Sequence, residues 1–132
     1  MLNKNAKKWV AALRSGAYRQ TQGELNDEKG FCCLGVACDL YEKETGEKLR
    51  RADFDGTKSC FYFGTDLDSH EQVRAWLGLQ EGNGGFNEVI DGTCSLVGLN
   101  DNLGFTFEQL ADVIESEPKG LFYKGSADES EC

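Results

Sequence analysis

The sequence has no long hydrophobic run, a single proline, a single histidine and few positive charges. Without the roughly 20 consecutive apolar residues that a spanning helix requires, we expect no contact with a membrane. An apolar share of 39% excludes a disordered or collagen-like chain. The 14 Lys and Arg against 23 Asp and Glu give a net charge of −9, which argues against direct nucleic-acid binding because phosphate contacts need basic side chains. The 132 residues correspond to one domain.

The first residues lack the pattern of a secretory signal, since their only apolar run covers 9–13 and no small-residue cleavage site follows. We therefore expect a reducing compartment, in which the cysteines are mostly free thiols that pack as small hydrophobic side chains. The six are Cys32, Cys33, Cys38, Cys60, Cys94 and Cys132. A structural zinc is weakly indicated, because no paired Cys-x-x-Cys motifs occur. We predict no metal site and no cofactor.

Two amphipathic segments in the first third of the chain predict helices. Residues 4–15 place Trp9, Val10 and Leu13 on one face, and Gly16 is a natural end. Residues 31–41 carry a buried helical stripe. Its members are Cys33, Val36, Ala37, Leu40 and Tyr41. The same residues also fit a strand over 30–33 followed by a shorter helix. Gly35 lies off the stripe. A glycine inside a helix lowers the stability of the helix relative to alanine, so we expect another segment to pack closely against the backbone there.

Two later segments carry helix-capping patterns. Ser69 and Gln72 have the S-x-x-Q spacing, which predicts a helix that ends near Gly78. Thr106 and Gln109 repeat that spacing before the last predicted helix. Phe105 and Leu110 occupy the positions of a hydrophobic staple around this start, and Pro118 ends the helix.

Short apolar or aromatic runs between glycines predict strands. Residues 60–63 form one, and 86–90 with 93–97 around Asp91 and Gly92 form a β-hairpin. We expect a short strand or extended arm over 18–25 and an exposed connection over 42–58.

The sum is an α+β fold with about four helices packed on a small antiparallel sheet that contains the hairpin near 86–97. We predict one domain over 1–118 and a carboxyl-terminal extension over 119–132 that is disordered beyond Tyr123.

No catalytic arrangement stands out, and we assign no catalytic residue. His70, the only histidine, lies in a predicted first helical turn, where we expect a solvated surface side chain and not the base of a Cys-His hydrolase. The acidic pairs Asp53/Asp55 and Asp66/Asp68 fit turns and caps better than a calcium loop. The glycine-rich loop over 82–85 lacks the features of a phosphate-binding loop.

Charge is segregated along the chain. Residues 1–19 hold five basic side chains and no acidic one, whereas 75–118 hold eight acids and no base. Glu108, Asp112 and Glu115 are the predicted centre of an acidic face that imitates nucleic-acid phosphates or steers association with a basic protein surface. Solubility alone is the alternative explanation.

A group of polar residues near the last helix suggests a second type of site. Ser95, Asn100 and Asp101 could hydrogen-bond a small polar ligand, with Arg14 and Arg74 as partners for a phosphate. The same segment also fits turn residues that lead into the Thr106 cap, which we favour.

Three segments of the sequence resemble a known group of proteins. They read WVAALRSGAYRQTQG from Trp9, GFCCLGVACDL from Gly30, and LND from Leu99 followed by FTFEQLADVIE from Phe105. They resemble small, mostly uncharacterised proteins of tailed bacteriophages and prophages. The similarity spans 9–115 and implies a phage protein made in the host bacterial cytoplasm, which agrees with reduced cysteines. It carries over no catalytic residue.

In that context we expect a non-catalytic accessory protein that binds and inhibits a bacterial antiviral defence component. The partner is a host defence protein bound through the acidic face, or a signalling nucleotide that the protein sequesters. The alternatives are a small Cys-dependent hydrolase and a minor virion or assembly protein. The sequence also leaves open whether the chain associates with a second copy of itself.

Overall fold

The structure is a computed structural model that describes residues 2–54, 57–62, 64 and 66–122. Side chains are described for all of these except 52–54 and 57–61. The helices are α1 (Lys4–Arg14), α2 (Cys33–Thr45), α3 (Glu71–Leu77), α4 (Leu96–Asp101) and α5 (Phe107–Ser116). The strands are β1 (Asn26–Asp27), β2 (Gly30–Phe31), β3 (Arg51–Phe54), β4 (Thr57–Tyr62), β5 (Gly85–Ile90) and β6 (Thr93–Ser95). The predicted α+β class is confirmed.

The helices surround one apolar core. Trp9 of α1 is fully buried and donates its indole N–H to the carbonyl oxygen of Cys33 at 2.8 Å, which fixes α1 against the start of α2. The amide of Asn3 caps α1 and also donates to the carbonyl of Leu77, at the end of α3. The first helix therefore holds both of its neighbours by polar contacts as well as by packing.

The strands form three separate antiparallel hairpins within the described part of the chain. Asp91 and Gly92, at φ +50° and +84°, make the turn between β5 and β6, as the sequence predicted. The second strand is shorter than expected, because the Ser95 hydroxyl accepts the Gly98 N–H at 3.0 Å and starts α4. The predictions of a strand over 96–97 and of turn residues at Asn100 and Asp101 are therefore wrong, since these residues belong to α4.

Gly35 has a packing reason to be glycine. A Cβ at this position would overlap the carbonyl oxygen of Leu25, whose backbone crosses α2 there. The same carbonyl accepts the N–H of Cys32 at 3.0 Å. Residues 18–25 contain one bridge, between Gln20 and Phe31, and bend over 22–25, so the prediction of a short strand or extended arm is met only around Gln20. Residues 30–41 were predicted either as one helix or as a strand followed by a shorter helix. The structure has a two-residue strand, β2, that ends directly before the Cys32 cap of α2, so each prediction is partly correct.

The start of α3 differs from its prediction. Residues Leu67–Ser69 form a 3₁₀ turn capped by Asp66, and α3 begins only after His70. Ser69 is therefore not the N-cap. His70 is 1% exposed, so the expectation of a solvated side chain is wrong. Its ring packs edge-on against Tyr62 at 6.3 Å, because the turn directs it inward.

The expected connection over 42–58 is exposed over 43–48, as predicted, but it is wrong as a connection without regular structure, because α2 extends into it and β3 and β4 occupy most of its second half. Helix α2 continues to Thr45, and Gly46 caps its carboxyl end with φ +78°. Leu49 is buried, and its N–H donates to the carboxylate of Glu42 at 2.6 Å. This segment is therefore held against α2 before β3 begins. Asp55, Phe63 and the residues from Tyr123 onward lie outside the described residues, as does the expectation of disorder there.

Candidate functional site

The three carboxylates of the predicted acidic face lie on one stripe of α5. Glu108, Asp112 and Glu115 are four and three residues apart, so they project from the same side of the helix. The guanidinium of Arg14, the last residue of α1, lies among them. It donates to Glu108, to Asp112 at 2.8 Å and to Glu115 at 2.5 Å. We call these three carboxylates the acidic face and Arg14 its internal counter-charge.

The acidic face stays open to solvent although Arg14 pairs with it. The side chains of Glu108, Asp112 and Glu115 are 62%, 67% and 53% exposed. Hydrogen bonds to Asp112, Glu108 and Glu115 raise the pKa of Arg14 above its ordinary value, so it remains positively charged. Three carboxylates and one guanidinium leave a net charge of −2. Because exposed ion pairs of this kind contribute little to stability, the face can exchange its cation for one from a partner.

Asn100, predicted from the sequence as a ligand residue, lies in the protein interior at 0% exposure. Its NH₂ group donates to the carbonyl of Thr21 at 2.9 Å and to Asp101 at 2.7 Å. Its carbonyl oxygen accepts a hydrogen bond from Gln20 at 2.7 Å. Asn100 therefore joins α4 to residues 18–25, and its amide has partners on both sides.

The structure gives the other predicted ligand residues separate partners. Ser95 caps α4, as described above. Arg74 donates to Glu71 at 2.8 Å and to the carbonyl of Leu79 at 2.9 Å. Arg14 is engaged by the acidic face. Of the five residues, only Asn100 and Asp101 contact each other through a hydrogen bond described in the structure.

The cysteines whose side chains are described carry free thiols, as the sequence predicted. Cys32, Cys33 and Cys38 are buried, and Cys94 is exposed. Burial raises the pKa of Cys32 to about 12 and the pKa of Cys33 and Cys38 well above its ordinary value. A nucleophilic cysteine must form a thiolate near neutral pH, so burial makes these three unsuited to catalysis.

A second polar cluster was missed by the sequence analysis. Both terminal nitrogens of Arg51 donate hydrogen bonds to the Glu42 carboxylate, at 2.8 and 3.0 Å. The Arg51 guanidinium also lies over the ring of Tyr62, 4.4 Å from its centre. Burial alone would raise the pKa of Glu42, but hydrogen bonds from Arg51 and Leu49 lower it overall. The cluster attaches β3 and β4 to α2. No motif marks a carboxylate and an arginine nine residues apart, so this pairing had no sequence signal.

The described residues contain neither a candidate metal site nor a candidate membrane-spanning helix. No group of three or more His, Cys, Asp and Glu side chains among them has an arrangement that could hold a metal ion. None of the described helices has the length and hydropathy needed to cross a lipid bilayer.

Comparison with known proteins places the chain in a family. The family model described as "Domain of unknown function (DUF8296)" matches residues 1–118. The chain belongs to this family. No curated protein and no solved structure matches the chain. The matched residues include α1 and α5, and with them the whole acidic face and Arg14. The family description assigns no activity.

Proposed function

We propose that the protein is a non-catalytic phage accessory protein that binds and inhibits a bacterial antiviral defence protein through the acidic face. The observation that carries this proposal is the grouping of Glu108, Asp112 and Glu115 on one exposed stripe of α5. A compact group of carboxylates on a rigid helix can meet a basic surface with defined geometry, and it accelerates association at low salt.

The bacteriophage context comes from the resemblance of residues 9–115 to phage and prophage proteins. It implies the host bacterial cytoplasm as the site of action, and within that context the defence machinery of the host is the class of target that we propose. A target that binds nucleic acid or nucleotides needs basic side chains for the phosphates, and such a basic surface is complementary to an acidic face.

A binding role agrees better with the geometry than the other expectations do. Cys32, Cys33 and Cys38 are buried with raised pKa values, which disfavours these three as the nucleophile of a Cys-dependent hydrolase. The residues expected to hold a signalling nucleotide have partners within the chain, Asn100 in the interior and Arg14 at the acidic face. We therefore place the protein target first. Nucleotide sequestration would appear as a thermal shift with cyclic or ADP-ribose-type nucleotides.

The test is affinity capture from infected cells with the full chain, followed by identification of proteins and small molecules. Binding of the captured protein is then measured for E108Q/D112N/E115Q, which keeps side-chain size and removes three charges. We expect this variant to bind at least about ten-fold more weakly, and we expect the wild-type affinity to fall as salt is raised.

The matched control is E24Q/E28Q/E88Q, which removes three exposed carboxylates from other parts of the surface. It has the same net charge as the first variant, so a general effect of charge would weaken both equally. Equal affinities for wild type, control and test variant would contradict the proposal. Recovery of the protein in purified particles instead would favour the minor virion component.

A further inference from the structure

Residues 118–122, which we call the clasp, turn back onto the core directly after α5. Pro118 is buried, and its carbonyl oxygen accepts the N–H of Leu121 at 3.0 Å, which closes a four-residue turn. The turn directs Leu121 into the apolar core, where its exposure is 0%. The clasp therefore contributes a core side chain from beyond the last helix.

Backbone hydrogen bonds connect the clasp to two other parts of the chain. The carbonyl of Lys119 accepts the N–H of Asn87, in β5, at 2.6 Å. The carbonyl of Leu121 accepts the N–H of Gln80, which follows α3, at 2.9 Å. Phe122 extends this pairing by an antiparallel bridge to the residue before Gln80. The clasp thus ties the carboxyl end of α5 to β5 and to the segment after α3.

Gly120 shows how closely the clasp packs on β5. A Cβ at Gly120 would lie 2.6 Å from the side-chain nitrogen of Asn87, which is closer than a Cβ approaches another heavy atom in folded proteins. Gly120 also has φ +89°, a conformation that favours glycine. Gly23 has nearly the same φ, +90°, but no atom would contact a Cβ there within 4 Å. The two glycines therefore separate the effect of close packing from that of backbone conformation.

We propose that the clasp is a closing device of the fold, which locks the carboxyl end of α5 to β5 and to the segment after α3, so that the cooperatively folded unit extends to residue 122. The match to the family model ends at residue 118 and leaves out Leu121 and both carbonyls that bond to the rest of the chain. One buried leucine and two hydrogen bonds are lost together when the clasp opens. The proposal concerns how α5 is held, so it does not depend on a partner for the acidic face.

The test compares full-length variants by thermal unfolding and by hydrogen exchange of single amides measured by NMR. Leu121→Ala should lower the midpoint of unfolding by at least about 5 °C, because it leaves a cavity in the core. The amides of Gln80 and Asn87, which donate to the clasp, should exchange at least about ten-fold faster than in wild type. Lys119→Ala is the matched control, since it removes an exposed side chain from the same turn and keeps the carbonyl. It should change neither measurement.

The paired glycines test the close fit of the clasp independently of the leucine. Gly120→Ala and Gly23→Ala both place a methyl group on a left-handed backbone, but only the first meets Asn87. We therefore expect Gly120→Ala to lower the midpoint of unfolding more than Gly23→Ala does. Asn87→Ala, added to Gly120→Ala, should recover part of the loss, because it removes the side-chain atoms nearest the new methyl group.

The proposal is overturned if Leu121→Ala unfolds at the wild-type midpoint, if the Gln80 and Asn87 amides exchange equally fast in both chains, or if the two glycine variants lose the same stability. If Leu121→Ala does not fold, as judged by circular dichroism, Leu121→Val takes its place in both measurements and should show the same changes at smaller size.

Discussion

At the scale of single residues, Gly35 shows how a close backbone contact determines the identity of one side chain. Helix α2 would gain stability from alanine at this position by propensity alone, by about 1 kcal/mol. The carbonyl oxygen of Leu25 occupies the space that the added methyl group needs. The sequence indicated a close contact at Gly35 but could not identify Leu25, since their contact depends on the path of residues 18–25.

We expect Gly35→Ala to lower the free energy of unfolding by about 1–3 kcal/mol, because overpacking outweighs the better helix propensity. Urea denaturation monitored by circular dichroism measures this. Ala11→Gly on the exposed side of α1 is the control for propensity and should cost about 1 kcal/mol. A Gly35→Ala chain as stable as wild type would show that the Leu25 backbone moves aside without cost.

The buried thiols make a second prediction at the residue scale. Cys32, Cys33 and Cys38 should resist a thiol reagent at pH 8 in the folded chain, because they are inaccessible and their raised pKa values keep them protonated. Cys94 should react rapidly. Mass spectrometry of labelled peptides distinguishes the sites. Rapid labelling of Cys32 or Cys33 under native conditions would reopen the hydrolase hypothesis.

At the scale of elements, α3 and α5 carry the same capping pattern with different outcomes. The Thr106 hydroxyl accepts the Gln109 N–H at 3.1 Å, and the Gln109 side chain accepts the Thr106 N–H at 2.9 Å. Ser69 instead lies in a 3₁₀ turn before His70. Capping motifs are local, and they predicted α5 correctly. They cannot report that Asp66 starts a different turn three residues earlier, which is why the burial of His70 was missed.

Thr106→Ala should therefore lower the free energy of unfolding by about 1 kcal/mol, since it removes one half of a capping box. Ser69→Ala should change it by less than about 0.5 kcal/mol, as expected for an exposed position that caps no helix. Thermal or urea denaturation of both variants measures the difference. Equal losses would mean that Ser69 contributes to the start of α3 after all.

At the scale of the whole molecule, the basic and acidic parts of the chain, which are far apart in the sequence, lie in contact through α1 and α5. Arg14 from the basic first helix lies among Glu108, Asp112 and Glu115 of the acidic last helix. The spacing of the three acids revealed their shared face, but the cation between them could not be predicted, because it depends on how α1 packs on α5. The sequence had assigned Arg14 to a different site, for a phosphate.

The two candidate binding modes at the acidic face predict opposite effects of removing the Arg14 charge. If the face binds a basic protein surface, Arg14 weakens its negative field and competes for its carboxylates. If Arg14 instead holds an anionic ligand, its removal abolishes binding. Because Arg14→Gln removes the charge and keeps a hydrogen-bonding side chain, the direction of its effect distinguishes the two.

The most direct test of the acidic-face proposal is the association rate constant of Arg14→Gln with the captured protein, measured by surface plasmon resonance at low and high salt. The proposal predicts a rate constant several-fold above that of wild type at low salt, with the difference reduced at high salt. Loss of binding in Arg14→Gln, or a rate constant unchanged at both salt concentrations, would contradict it.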